Sequence, residues 1–353
     1  MSIRQIFENV AVSSRIRLAR NFKDFPFPGR LLADPHAEEQ ASEIIRLIKG
    51  ELTSMEAFDF YSMSEISEEQ AEYLKERNLI SRDLMAHRRI AAALVSRDES
   101  ISVMINEEDH VRAQYFTKGC DLRRVFERVS GIDDIISDSI PFAYDDTFGY
   151  LTACPTNLGT GLRASVMLFL PACARRGLMA EIVRYCTGQG LTVRGTFGEG
   201  SDTEGDLYQI SNEITLGLKE EELLSLVEEA VYHVVQIENR QRERMRAEGG
   251  ISLRDQVMRS YGILTNCCKI GRKEFTERIA DLKLGISLGY FDAPEAKESE
   301  GTDTRIEDLD DLAMALRPAN INRIKGARLD EEEQDIYRAE CAVEAISGMD
   351  LFQ

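Results

Sequence analysis

Five arginines carry the first chemical signal in this 353-residue chain. Arg15 and Arg17 stand two apart in VSSRIRLAR, Arg112 follows the acidic run NEEDH, Arg163 sits in TGLRASV and Arg194 in TVRGTFGEG. A guanidinium stays charged and offers forked donors, so a set of them suits the clamping of phosphate groups. Taken singly, each arginine is better read as a solvated surface residue. Neither a Walker A loop nor a glycine-rich kinase loop is present, so a phosphate site here has to be a cage of side chains.

Carboxylates form the second set: Glu107, Glu108 and Asp109 in NEEDHVR, and Glu199 in RGTFGEGS. Three adjacent acids directly after a strand either meet a cation or form a charged turn, and the residues alone leave both open. Asp202, Glu204, Asp206 and Glu213 match part of a calcium loop, but Leu207 holds the slot that needs glycine, so no metal site is expected. Cys154 in CPTNLGTG is either a small packing residue or a thiol whose pKa falls beside arginines and a helix N-terminus. Cysteine-protease chemistry would need a histidine partner, and His110 among its acids is a weak one.

The rest of the composition narrows the class. A net charge of −19 argues against a protein that coats nucleic acid or a polybasic membrane protein. The charge is uneven, −5 over residues 1–200 and −14 over 201–353, so the first part can hold a cationic pocket. No apolar run reaches the roughly 18 residues of a membrane span, and MSIRQIFENV lacks a secretory core, so a cytoplasmic location is expected. Seven cysteines without paired CxxC spacing fit neither a disulfide scaffold nor a zinc site.

The elements that must position these groups can be read from periodicity. Alternation over residues 10–18 predicts a strand with Arg15 and Arg17 on one face and Arg20 on the other, in a structural role. HAEEQASEIIRLIKGEL (36–52) predicts a helix, and ISVMINEEDH (101–110) a strand that ends in the acids. LRRVFERVSGIDDII (122–136) reads as a helix stopped by its glycine. Residues 149–174 read as strand, polar turn, then helix; residues 190–217 read as two strands around a long loop. A long amphipathic helix follows, ended by Gly249-Gly250. Beyond about 251 the segments are helical, with a linker-like loop at 293–304. The fold class is α+β, followed by a smaller helical domain.

Four motifs, SSRIRLARN, NEEDHVR, CPTNLGTGLRASV and RGTFGEGSDTEGDLYQISN, occur in the order and approximate spacing of the phosphagen (guanidino) kinase catalytic domain, over about residues 10–245. Within that superfamily the chain most resembles the bacterial protein-arginine kinases of the McsB type. The resemblance implies a phosphagen-kinase-like catalytic domain over 1–248, an antiparallel sheet flanked by helices. A helical domain over 251–353 would serve dimerisation and phosphoarginine binding.

The resemblance further implies ATP as phosphoryl donor, with its phosphates on Arg15, Arg17, Arg112, Arg163 and Arg194. The nucleotide-contacting segments would be Ser13, Ser14, Arg15, Ile16 and Arg17; Arg163, Ala164, Ser165, Val166 and Met167; and Arg194, Gly195, Thr196, Phe197, Gly198 and Glu199. Mg2+ would be held through the phosphates. Glu108 would be the base, Glu199 the opposing carboxylate, and Cys154 a neighbour of the acceptor guanidinium.

Two departures stand out. Asn78 occupies the position where the family commonly has a histidine beside adenine. In QDIYRAE, Gln334 replaces the leading arginine of the phosphoarginine-receptor motif, leaving Asp335, Arg338 and Ala339.

Creatine and arginine kinases carry a helical domain ahead of SSRIR that encloses a small substrate. The early position of the motif here predicts an open site for arginines on proteins. The resemblance also implies a homodimer, a zinc-binding activator protein, a Clp-type protease and a stress repressor as partners. A kinase for free arginine, and a catalytically weak phosphoarginine-binding regulator, are the alternatives.

Overall fold

The computed structural model describes residues 6–33, 38–53, 57–195, 204–291 and 304–349. The expectations at Thr196, Phe197, Gly198 and Glu199, and nearly all of the loop at 293–304, lie outside the described residues.

Eight antiparallel strands form one sheet: β1 (Ala11–Arg20), β2 (Phe58–Ser62), β3 (Ala92–Ser96), β4 (Ile101–Ile105), β5 (Val111–Lys118), β8 (Leu162–Phe169), β9 (Leu191–Gly195) and β10 (Leu207–Asn212). A two-residue hairpin, β6 (Tyr144–Asp145) and β7 (Gly149–Tyr150), lies outside it. The sheet order is β2-β3-β4-β5-β1-β8-β10-β9, so the arginine-bearing N-terminal strand is central, between β5 and β8.

Strand alternation separates two environments. One face carries Ile16, Leu18, Ala113, Ala164, Val166, Leu168 and Ile210, all buried in the main core with helices Glu38–Leu52, Leu122–Ser139, Met179–Gly188 and Glu220–Glu248. The other face is polar over its middle strands. At its β3–β4 end, however, it is covered by a second apolar cluster in which Leu74 and Leu84 meet Ala93, Val95 and Met104.

Two predicted elements differ. Residues 162–169 are a strand paired on both edges, by β1 and β10; the apolar Met167 and Phe169 fall on the same parity as Arg163 and blur the alternation, so hydrophobic pattern alone does not separate the run from a helix. The helix Leu122–Ser139 runs straight through Gly131, because Val129, Ile132 and Ile136 keep its buried stripe continuous and outweigh the roughly 1 kcal/mol cost of an interior glycine. The long helix Glu220–Glu248 ends as its sequence suggests, with Gly249 left-handed at φ 60°.

The C-terminal helices gather a core of their own around Val257, Phe275, Leu282, Leu309, Ile321 and Ala342. They touch the sheet-bearing part through several polar contacts, among them Lys118 with Asp311 and Arg272 with Glu204, each at 2.8 Å. Arg175 pairs with Asp281 at 2.6 Å, and Arg317 Nη1 donates to the Glu76 carbonyl at 2.7 Å. Among the described residues no helix is long and apolar enough to cross a membrane.

Candidate active site

Residues directly opposite one another in an antiparallel pair point to the same side of the sheet. Arg17 faces Arg163 on β8 and Gln114 on β5; Arg15 faces Ser165 and Phe116; Ala19 faces Arg112. The register continues through Met167 to Gln209, and through Gln209 to Arg194. All five arginines therefore rise from the face turned away from the main core. Ser13, Ser165 and Met167 share that face, whereas Ser14, Ile16, Ala164 and Val166 point into the helices on the other side and are fully or almost fully buried.

Among the described residues, Arg112 alone of Arg15, Arg17, Arg112 and Arg163 forms an ion pair, with Glu107. Arg15 reaches Gln209 Oε1 at 3.5 Å and Arg163 reaches Ser211 at 3.1 Å, both neutral partners. Arg163 Nε is buried with no hydrogen-bond partner, and Arg17 makes no hydrogen bond or ion pair among the described residues. Burial, with Arg112 and Arg163 nearby, pulls the Arg15 pKa down to about 10. Burial and then Arg112, Arg15 and Arg163 lower Arg17 well below its ordinary value. Burial followed by Arg194 and Arg112 lowers Arg163. Uncompensated half-buried cations are costly, and such a cluster is what a polyanion would relieve.

The three acids after β4 separate into distinct roles. Glu107 is fully buried; its Oε1 takes the Ser81 hydroxyl and Arg112, and its Oε2 takes the Glu108 N–H at 2.9 Å. Burial alone would raise its pKa, but Arg112, Ser81 and that N–H outweigh it and hold the carboxyl below its usual range. Asp109 is also buried and accepts from Asn21 Nδ2 at 2.6 Å and from the Ala153 N–H at 2.7 Å. Its pKa is raised by burial against those two bonds. Glu108 between them is only half-buried, and its carboxylate has no partner among the described residues. The acidic run is thus two structural carboxylates that aim a third.

Cys154 stands next to Ala153 and hence close to this loop, but ahead of a single 3-10 turn, Pro155–Asn157, rather than a helix. Its Sγ lies 3.0 Å from the Thr156 hydroxyl. The partnering of Cys154 by His110 is excluded by geometry. His110 is buried, with Nδ1 accepting the Phe22 N–H at 3.0 Å and Nε2 against Pro26 O at 2.9 Å. Burial depresses its pKa to about 4. Asn78 lies exposed in a left-handed turn with φ 59°, and its carbonyl takes Gln114 Nε2 at 2.9 Å, which sets it at the edge of the arginine face.

Gln114, Gln209 and Ser211, which orient or flank the arginines, were not singled out by sequence reasoning. Arg112 and Gln114 at i and i+2 on an apolar strand were the available signal. Arg20 has the structural role its parity suggests: it binds Asp133 at 2.8 Å and Thr160 O at 2.8 Å, and lies 3.6 Å over the Tyr150 ring.

Farther away, Arg338 is 1% exposed and donates to Leu316 O, Ile270 O and Asp335, while Ala339 is fully buried. Gln334 lines a cleft of about 840 Å³ with Glu72, Tyr73, Glu76, Asn322 and Arg323, and its Nε2 donates to Asn322 Oδ1 at 3.1 Å.

The family described as ATP:guanido phosphotransferase, C-terminal catalytic domain, matches residues 40–241, and the protein-arginine kinase McsB C-terminal domain matches residues 250–350. The chain is 38% identical over 341 residues to a protein-arginine kinase of Caldanaerobacter subterraneus subsp. tengcongensis, covering 95% of this chain and 96% of that one. It is 39% identical over 336 residues to one from Geobacillus stearothermophilus, covering 94% and 88%.

Among solved structures, the duplicated taurocyamine kinase of Schistosoma mansoni with bound transition-state-analogue components is similar at TM-score 0.57 and 29% identity, over 67% of this chain and 34% of that one. Lombricine kinase is similar at TM-score 0.57 and 26% identity, over 65% and 66%. This chain thus spans about a third of the first and about two thirds of the second.

Proposed function

The chain belongs to the protein-arginine kinases, within the ATP:guanido phosphotransferases, and on that premise we propose that it transfers the γ-phosphoryl group of ATP to arginine side chains of proteins. The observation that carries the reading is the arginine face itself. Arg15, Arg17, Arg112 and Arg163 crowd one side of the sheet with Glu107 the one carboxylate paired to them among the described residues, and the nearby Glu108 carboxylate has no partner among the described residues.

In this reading the five arginines take the ATP phosphates, with Ser13, Ser165, Met167 and Gly195 alongside and Asn78 towards the base. The described residues hold no group of three or more His, Cys, Asp or Glu able to bind a metal, so Mg2+ would be carried by the phosphates and water. When bound, it neutralises phosphate charge. Glu108 grips the acceptor guanidinium, orients one nitrogen in line and takes its proton as the N–P bond forms. The bond from the γ-phosphorus to the bridging oxygen breaks, and ADP leaves. Glu199 would close on the other side of the guanidinium, with Cys154 beside it.

Positioning and cationic stabilisation supply most of the acceleration. The division into a catalytic domain, 1–248, and a helical domain, 251–353, belongs to the same proposal, as do a homodimer and a cytoplasmic location. So do a zinc-binding activator and the marking of clients for a Clp-type protease in stress control. Phosphoarginine binding at Asp335, Arg338 and Ala339 would first require opening the internal bonds of Arg338, so weak docking is expected.

The test is incubation with labelled ATP and casein, with free arginine in parallel. Label on casein that is lost in acid and kept in base supports the proposal, since phosphoramidates hydrolyse in acid. Label on free arginine alone identifies a small-molecule kinase instead, and phosphoarginine binding without transfer identifies a regulator.

A further inference from the structure

Beside the Cys154 turn the molecule exposes large apolar side chains that its own fold does not use. Tyr144 is 58% exposed, Phe148 49%, Ile214 50%, Leu216 44% and Leu218 38%. They come from two separate segments that the turn joins. The Tyr150 N–H donates to Gly159 O at 2.8 Å, the Thr160 N–H donates to Thr215 O at 3.1 Å, and the Thr215 hydroxyl donates to Thr156 O and Leu158 O. The layers lie backbone on backbone. A Cβ on Gly149 would meet Gly159 O at 2.6 Å, and one on Gly159 would collide with Thr215 O.

We propose that this ridge docks the extended polypeptide segment that carries the acceptor arginine, an inference that rests on the protein-arginine kinase reading. Large exposed apolar groups carried on segments joined backbone to backbone at the edge of a site mark a contact surface. Its anchors are preformed. Tyr144 packs on Tyr150 at 5.3 Å, which is held between Phe142 and Arg20, and Asp145 Oδ1 accepts the N–H groups of Thr147 and Phe148. Rigid aromatics lose little freedom on binding. The chemistry of the occupant follows from charge. Asp145, Asp146 and Glu213 are exposed along the ridge and complement a cationic, arginine-bearing segment.

Phe148→Ser and Leu216→Ser, both at exposed positions outside the catalytic groups, test it with casein as substrate. Thermal melting first confirms that each variant folds. Each is expected to raise the KM for casein at least five-fold, with kcat and the KM for ATP within two-fold of the parent. Asp146→Lys should raise the casein KM as well, and the more so at low salt. Casein KM values within two-fold of the parent overturn the ridge alone. Absence of transfer by the parent chain removes the kinase reading and the ridge with it. A shift to smaller oligomers by light scattering, in place of a KM change, assigns the surface to a contact between copies and overturns the proposal.

Discussion

Asp109 Oδ1 accepts the Ala153 N–H at 2.7 Å, tying the loop that carries Glu108 to the turn that carries Cys154. The same oxygen takes Asn21 Nδ2, and Asn21 Oδ1 returns to the His110 N–H at 2.9 Å. One buried carboxylate thus fixes two loops against β1. Asp109→Ala should lower kcat by roughly 10- to 100-fold, about 1.4–2.7 kcal/mol, with the KM for ATP little changed. Asp109→Asn keeps an acceptor oxygen and should recover part of the loss. A rise in the KM for ATP without loss of kcat would contradict a positioning role.

Glu108 differs from its neighbours in that its carboxylate has no partner among the described residues. Glu108→Gln should reduce transfer by at least about 100-fold while ATP still protects the fold against heat. Unchanged turnover would remove Glu108 as the base.

Arg17 is a half-buried cation among cations. Arg17→Gln should raise the stability of the ligand-free protein by roughly 1 kcal/mol while weakening the shift in melting temperature that ATP produces. A destabilised variant with full ATP protection would argue that Arg17 serves the fold.

His110 gives a pH dependence with a defined sign. Its folded pKa, about 4, lies below the ordinary value of 6.5. The neutral ring therefore contributes stability that is full above about pH 6.5 and is lost as pH falls through about 4, on the order of 3 kcal/mol. Denaturation of the parent and His110→Asn across pH 4–7 should show their stability difference shrinking on acidification. Parallel curves would show that His110 titrates normally.

The sequence by itself determined that Arg15 and Arg17 share a strand face, that Arg20 does not, and that the C-terminal third is helical. Those features are local, because side-chain direction follows backbone periodicity. The motif order also identified the family before any coordinate did. Tertiary structure decided what periodicity cannot carry. Whether Arg163 rises from a helix or from the strand beside Arg17 depends on the pairing of β8 with β1 and β10, which its blurred alternation does not announce. Which of three adjacent acids is free depends on Arg112, Ser81, Asn21 and Ala153, brought together from four separate segments. Likewise Arg338, legible as a receptor arginine in its motif, proves to be 1% exposed and bound to the carbonyls of Leu316 and Ile270. A charged residue's role depends on which partners the fold brings to it, and those partners lie far away in sequence.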